Sequence, residues 1–146
     1  MTRLTEHFTL EELIRSDIAL KLGVENKPNN SQYKNLINLA VFLEQVRKLI
    51  GKPIIISSGF RCLEVNAAVG GRPNSDHLYG RAADTKVQSL TIKQYFKLLA
   101  DSDLQYDKII IEFNRWVHIS IPPEDKPARR MKLIIDQHGE RVYEET

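Results

Sequence analysis

At 146 residues the chain is long enough to bury one hydrophobic core without disulfide or metal staples. Hydrophobic residues make up 42% and charged residues 27%, an ordinary balance for a soluble globular protein, and a net charge of +2 is too small to argue for nucleic acid. The single cysteine, Cys62, excludes an internal disulfide and an all-cysteine zinc site, and fits a reducing compartment.

The opening "MTRLTEHFTLEEL" has no apolar core and is interrupted by acidic residues, so it does not read as a secretory signal. No apolar run approaches the roughly 18 residues of a membrane span. "TLEELIRSDIALKLG" predicts a first helix, with Thr9 as N-cap, Glu12 completing a capping box and Gly23 as C-cap. "NKPNN" is a loop. A second helix follows, capped by Ser31 and stopped by Gly51, with Leu36, Leu39, Ala40, Leu43, Val46 and Ile50 at three-and-four spacing.

From Lys52 the pattern changes. "PIIIS" is a short β-branched run, read as a buried strand. "LEVNAAV" predicts a short helix, "GGRPNSDH" a loop and "RAADTKV" a strand. "TIKQYFKLLADS" is another amphipathic helix, with Thr91 and Gln94 as its capping box. "KIIIEFNRWVHISI" predicts two strands joined around Asn114, and "MKLIIDQHGERVYEE" a terminal hairpin turned at His138–Gly139. The cluster Arg129, Arg130 and Lys132 reads as a solvated strand face rather than a binding patch. Helices followed by an antiparallel-leaning sheet make the class α+β, with residues 1–146 as one domain: a helical part to residue 50, then a sheet-bearing part.

Ligand-capable side chains gather where strands meet loops. In "RWVHISI" alternation puts Val117, Ile119 and Ile121 on a core face and Trp116, His118 and Ser120 on the other. A tryptophan on that second face suits a cleft floor better than plain solvent. In "RAADTKV", Asp84 shares its face with Ala82, which leaves room beside the carboxylate. Gly80 lets the chain bend so that His77 folds back over this strand. Two imidazoles and one carboxylate would leave one tetrahedral position open, as in a catalytic zinc site, and the mixed N and O donors suit zinc. Spacing alone leaves the plainer reading open, in which each histidine is a surface or hydrogen-bonded residue. His7, before a helix, and His138, in a turn, read as structural.

A metal hydrolase also needs a base. Glu112, which ends "KIII", is the candidate, against the reading of a solvent-facing strand end. A two-residue turn at Asn114–Arg115 would point it away from His118. A three-residue loop, Phe113 to Arg115, would set it opposite Trp116 on the histidine face, so catalysis predicts an odd-length loop. Arg61 is either an anion clamp for a substrate carboxylate or a surface arginine. Cys62 reads as packing rather than nucleophile.

"SDHLYGRAAD" resembles the Ser-x-His-x-x-Gly-x-Ala-x-Asp signature of the zinc D-alanyl-D-alanine carboxypeptidase and L-alanyl-D-glutamate endopeptidase family, whose fold is shared with hedgehog signalling domains. "SSGFR" and "WVHISI" are similar to two further family segments, and "HFTLEELIRSDIA" to the start of its small, often phage-encoded branch. The likeness runs from His7 to Ile121. It implies His77, Asp84 and His118 as Zn2+ ligands, Arg61 as a substrate-carboxylate binder and Ser75 as a supporting group, beside Trp116, which the cleft-floor reading already makes a substrate-binding candidate. Many relatives carry the catalytic glutamate three residues before the last histidine, where this chain has Arg115; the phage-like branch uses the position of Glu112. The implied activity is hydrolysis of peptidoglycan stem peptides. The rival is a non-catalytic zinc-binding module, such as a phage tail component. The implied partners are the peptidoglycan peptide and phage particle or lysis proteins, with no nucleic acid and no membrane insertion. Without a signal, the implied location is the cytoplasm until lysis, or a phage particle.

Overall fold

A computed structural model describes residues 1–144; Glu145, where the predicted hairpin closes, and Thr146 lie outside the described residues. The first predicted helix is two: α1 (Leu10–Ile14) and α2 (Asp17–Leu22). The Thr9–Glu12 capping box and the Gly23 C-cap both form, but the chain turns extended at Arg15, and Ser16 caps α2 by accepting from the Ala19 amide at 3.0 Å. A serine inside an apolar pattern restarts a helix when its hydroxyl takes up a free N–H.

Helix α3 (Asn30–Ile50) starts before the expected Ser31. Asn29 is its N-cap, in a reciprocal box with Gln32, and Gly51 ends it in the left-handed region. Asparagine at the cap with glutamine at N3 is as good a box as any serine offers. The α3 stripe of Leu36, Leu39, Leu43 and Val46 is fully buried.

The strands are β1 (Ile55–Ser58), β2 (Ala82–Lys86), β3 (Lys108–Glu112), β4 (Trp116–Ser120), β5 (Met131–Asp136) and β6 (Gly139–Val142). Between them lie α4 (Leu63–Ala68) and α5 (Ile92–Ala100), the latter capped by the Thr91–Gln94 box as expected. The six strands form one sheet among the described residues, in the order β1-β2-β4-β3-β5-β6. All neighbours are antiparallel except β3 and β5, so the fold is α+β on a mainly antiparallel sheet. The terminal hairpin pairs Asp136 with Gly139, which moves its turn one residue earlier, to Gln137–His138; Asp136 Oδ1 accepts from the His138 amide at 2.8 Å and closes the turn.

Alternation sorts the sheet cleanly. Ala83, Ile109, Ile111, Val117 and Ile119 pack with α3 and with Phe96 and Leu99 of α5 to make the core. Asp84, His118, Ser120 and Glu112 belong to the opposite face. Arg129, which is exposed, and Arg130, which is half-buried, precede β5 rather than lie on its face, and both are engaged. Arg129 grips Asp107 at 2.7 and 2.9 Å, and Arg130 donates to Leu104 O at 3.0 Å with its guanidinium over the Tyr106 ring. Both tie the start of β5 to the segment that leads into β3.

Candidate metal centre

His77 lies not in the expected loop but in a 3₁₀ turn, Asp76–Tyr79. Ser75 caps this turn, its hydroxyl accepting from the His77 amide at 3.2 Å. Gly80 ends it with φ 77°, and a side chain there would meet Gln32 O of α3 at 2.7 Å, so glycine supplies both the bend and the close approach. From α3, Gln32 Nε2 donates to Leu78 O at 2.9 Å and Asn35 Nδ2 to Tyr79 O at 2.8 Å. The longest helix thereby holds the turn over β2.

The three predicted ligands converge. His77 Nε2 and His118 Nδ1 each lie 3.3 Å from Asp84 Oδ1, and Asp84 and His118 are cross-strand partners. One ligand atom from each residue lies within 4.8 Å of the others, and all three residues are buried. Asp84 Oδ1 is fully buried yet accepts no hydrogen bond. An orphaned carboxylate oxygen between two imidazole nitrogens fits a cation, since a buried charge otherwise costs several kcal/mol. Nitrogen and oxygen donors in a set of three suit zinc with one position left for water or substrate.

The electrostatics follow the same geometry. Burial pushes the Asp84 carboxyl up, but the adjoining His77 and His118 rings pull it further the other way, so it stays ionised far below the usual carboxylate range. Burial alone would depress His118; contact with Asp84 and the charges of Glu112 and Asp76 more than offset it and hold the ring above its ordinary value.

The segment after β1 wraps the ligands. Gly59 O accepts from His77 Nδ1 at 2.7 Å, which fixes the tautomer and turns Nε2 to the centre. A Cβ on Gly59 would sit 2.3 Å from Leu13 O, so only glycine lets this segment pass beneath α1. Arg61 Nη2 donates to Asp84 Oδ2 at 3.2 Å and its Nε to Ser58 Oγ at 3.2 Å. Arg61 is therefore not a free surface arginine: through Nη2 it holds the Asp84 carboxylate. Asn26 anchors the segment from the other side, donating to Ile14 O and Phe60 O and accepting from the Cys62 amide. Sequence reasoning missed Gly59 and Asn26. The signal for Gly59 lay in the Ser-Gly-Phe-Arg string, where a glycine between a strand and an arginine marks a close backbone approach; Asn26 left none.

Glu112 meets the geometric test. The β3–β4 loop has three residues, Phe113 to Arg115, with positive φ at Phe113 and Asn114, and Glu112 pairs with Trp116. Its carboxylate Oε1 accepts from Trp116 Nε1 at 2.6 Å. Trp116, expected to face substrate, thus also holds Glu112. Arg115 sits exposed in the loop. Cys62 is half-buried with its thiol pushed up by burial, consistent with packing rather than nucleophilic use. His7 pairs with Glu44 of α3 at 2.7 Å, a structural tie.

A buried His–Asp–His donor set on the sheet face opposite the core of an α+β fold defines a candidate mononuclear metal centre. The Peptidase M15 family model matches residues 6–120, which span every one of these groups, and the chain belongs to that family. A stretch of 43 residues is 49% identical to the zinc D-Ala-D-Ala carboxypeptidase of Streptomyces albus G; it covers 29% of this chain and 17% of that relative. No described helix is long and apolar enough to cross a membrane.

Proposed function

We propose that this chain is a zinc-dependent peptidase that hydrolyses peptide bonds in bacterial cell-wall stem peptides. The observation that carries the reading is the buried convergence of His77, Asp84 and His118 on an orphaned carboxylate oxygen, with Glu112 on the same sheet face. Membership of a peptidase family and the likeness to a zinc D-Ala-D-Ala carboxypeptidase support it.

His77 Nε2, Asp84 Oδ1 and His118 Nδ1 would hold the ion. When bound, zinc supplies Lewis acidity toward the scissile carbonyl and a water that ionises near neutral pH. Glu112 takes the proton of the attacking water at its carboxylate and returns it to the leaving amine. Its hydrogen bond to Trp116 fixes the orientation in which it does so. Arg61 keeps Asp84 in place through Nη2 and offers Nη1, which has no hydrogen-bond partner among the described residues, to a substrate carboxylate. Ser75 supports the site by capping the turn that bears His77.

The test combines elemental analysis with product masses from defined muropeptides. The reading expects one zinc per chain and release of stem-peptide fragments, both lost on chelation; the fragment masses assign the bond as terminal or internal. Glu112→Gln should abolish turnover and leave zinc stoichiometric. Zinc bound at one per chain with no release from any muropeptide would identify a non-catalytic zinc module instead.

A further inference from the structure

Most of the site face is closed to a ligand. His77, Asp84 and His118 are buried. So are the next residues across the sheet in the same row, Ile110 beside His118 and Leu133 beside Ile110, each 5% exposed. Surface returns one row further along the strands, a step of about 7 Å. There Glu112 pairs with Trp116 on one side and Ile135 on the other, and all three are half-buried. On these strands a ligand therefore meets the site at the β3–β4 hairpin end, where the carboxylate of Glu112 lies between an indole and a branched aliphatic side chain.

Phe113 stands at that end, next in the chain to Glu112. Its side chain is 52% exposed and its ring has no aromatic or cationic partner among the described residues. Its backbone is nonetheless strained. Phe113 and Asn114 have φ 54° and 55°, and the Arg115 amide donates to Glu112 O at 3.0 Å, the pattern of a type I′ turn. Asparagine and glycine are the natural occupants of such a turn, whereas the Cβ of a phenylalanine crowds its own backbone in the left-handed region. The Phe113 amide also donates to Ile135 O at 2.8 Å, which ties the strained residue to β5. An aromatic that strains the backbone and gains little burial does nothing for the fold that asparagine would not do better.

We propose that Phe113 is a specificity-determining residue, which with Trp116 and Ile135 forms an apolar rim around Glu112 and receives the side chain of the substrate residue that carries the leaving amine. The assignment rests on the peptidase reading above. Glu112 returns a proton to that amine, so the residue that bears it lies within hydrogen-bond reach of the carboxylate, and its side chain meets what surrounds Glu112. Those surroundings are an indole, an isoleucine and an exposed phenyl ring. The one side-chain N–H among them, Trp116 Nε1, is already given to Glu112. The rim selects an apolar side chain over a polar one, because a polar group placed there loses water and finds no partner. The strain at Phe113 is what it costs to present a ring at this position.

The experiment uses stem-pentapeptide analogues in which one position at a time carries either leucine or glutamine. Each is titrated calorimetrically against the zinc-loaded Glu112→Gln protein, in which turnover is blocked. At one position leucine should bind about tenfold more tightly than glutamine, and fragment masses from the unmodified chain should place that position just after the bond that is cut. Adding Phe113→Asn should bring the two within about twofold, while Phe113→Tyr, which keeps the ring, should keep the preference. Phe113→Asn should also raise Tm by about 2–4 °C, since asparagine suits the turn. No leucine preference at any position overturns the rim, as does a preference that survives Phe113→Asn or falls elsewhere in the peptide. A lower Tm in Phe113→Asn does so too, because the ring would then be serving the fold. Turnover is scored separately. A preference abolished by Phe113→Asn without any cleavage keeps the rim as a peptide-binding surface and sinks the peptidase reading; cleavage without a preference does the reverse.

Discussion

Trp116 Nε1 donates a 2.6 Å hydrogen bond to Glu112 Oε1, across a non-identical pair that faces each other at the mouth of the β3–β4 hairpin. A carboxylate that serves as a base must be aimed, and an indole N–H from the facing strand aims it while the ring excludes water from one side. Hydrogen bonds to charged groups contribute about 1.5–3 kcal/mol. Trp116→Phe, which keeps an aromatic ring and removes the donor, should therefore lower kcat about tenfold or more with KM and bound zinc little changed. Trp116 is the sole tryptophan, so its emission reports the same bond. Glu112→Ala should shift that emission to longer wavelength as the indole N–H is released to water. Unchanged kcat in Trp116→Phe would show that Glu112 needs no such support.

Metal binding should appear as stability. A ligand held only by the folded chain adds RT ln(1 + [L]/Kd), about 2.7 kcal/mol at one hundred times Kd. For a chain of this size that corresponds to a rise in Tm of roughly 5–10 °C. Zinc added after chelation should produce it, and Asp84→Ala should abolish it, because the orphaned oxygen at the centre is the one being satisfied. Scanning calorimetry with and without zinc measures both. A zinc-dependent rise that survives Asp84→Ala would place the ion elsewhere.

The convergence of the candidate ligands and the face of Glu112 were legible because strand alternation is a rigid rule: once β2 and β4 are strands, Asp84 and His118 must share a face, and loop length decides the face of Glu112. Gly80 was legible as a bend because glycine alone adopts a positive φ without strain. What the sequence hid depends on contacts between distant segments. That Arg61 grips Asp84 follows from β1 lying beside β2, with Ser58 opposite Asp84, a pairing that no local pattern states. The parallel β3–β5 pairing was invisible because a crossover leaves no periodic trace, whereas the β3–β4 and β5–β6 hairpins announce themselves by their turns. The break at Ser16 and the start at Asn29 are cap competitions, in which several polar residues qualify and packing chooses one.

Gly59 should be among the least replaceable positions outside the ligands. Its carbonyl accepts from His77 Nδ1, and a Cβ would stand 2.3 Å from the backbone oxygen of Leu13. Backbone cannot rotate away as a long side chain can, so Gly59→Ala must push α1 and the Ser58–Arg61 segment apart. Overpacking of this kind costs about 1–3 kcal/mol. Loss of a ligand's supporting partner lowers metal affinity about 10–100-fold. Urea denaturation and a zinc competition titration on Gly59→Ala check the two effects, and a variant as stable and as tight as the original would mean that the segment has room to move.

Asp107 gives the fold a pH dependence that is separate from the metal. Burial pushes its carboxyl up, but hydrogen bonds from the Arg129 guanidinium and amide pull it further down, so it lies below its ordinary value. A depressed folded pKa means that the stabilisation is fully present above the unfolded value of about 3.9 and is lost as pH falls through the folded one. At pH 7, Asp107→Asn should cost about 1.5–3 kcal/mol, the scale of hydrogen bonds to a charged group. Between pH 5 and pH 2 the unsubstituted chain should lose stability more steeply than the variant, and the two urea midpoints should converge at the acid end. Parallel curves across that range would show that the Asp107–Arg129 pair contributes nothing that protonation can remove.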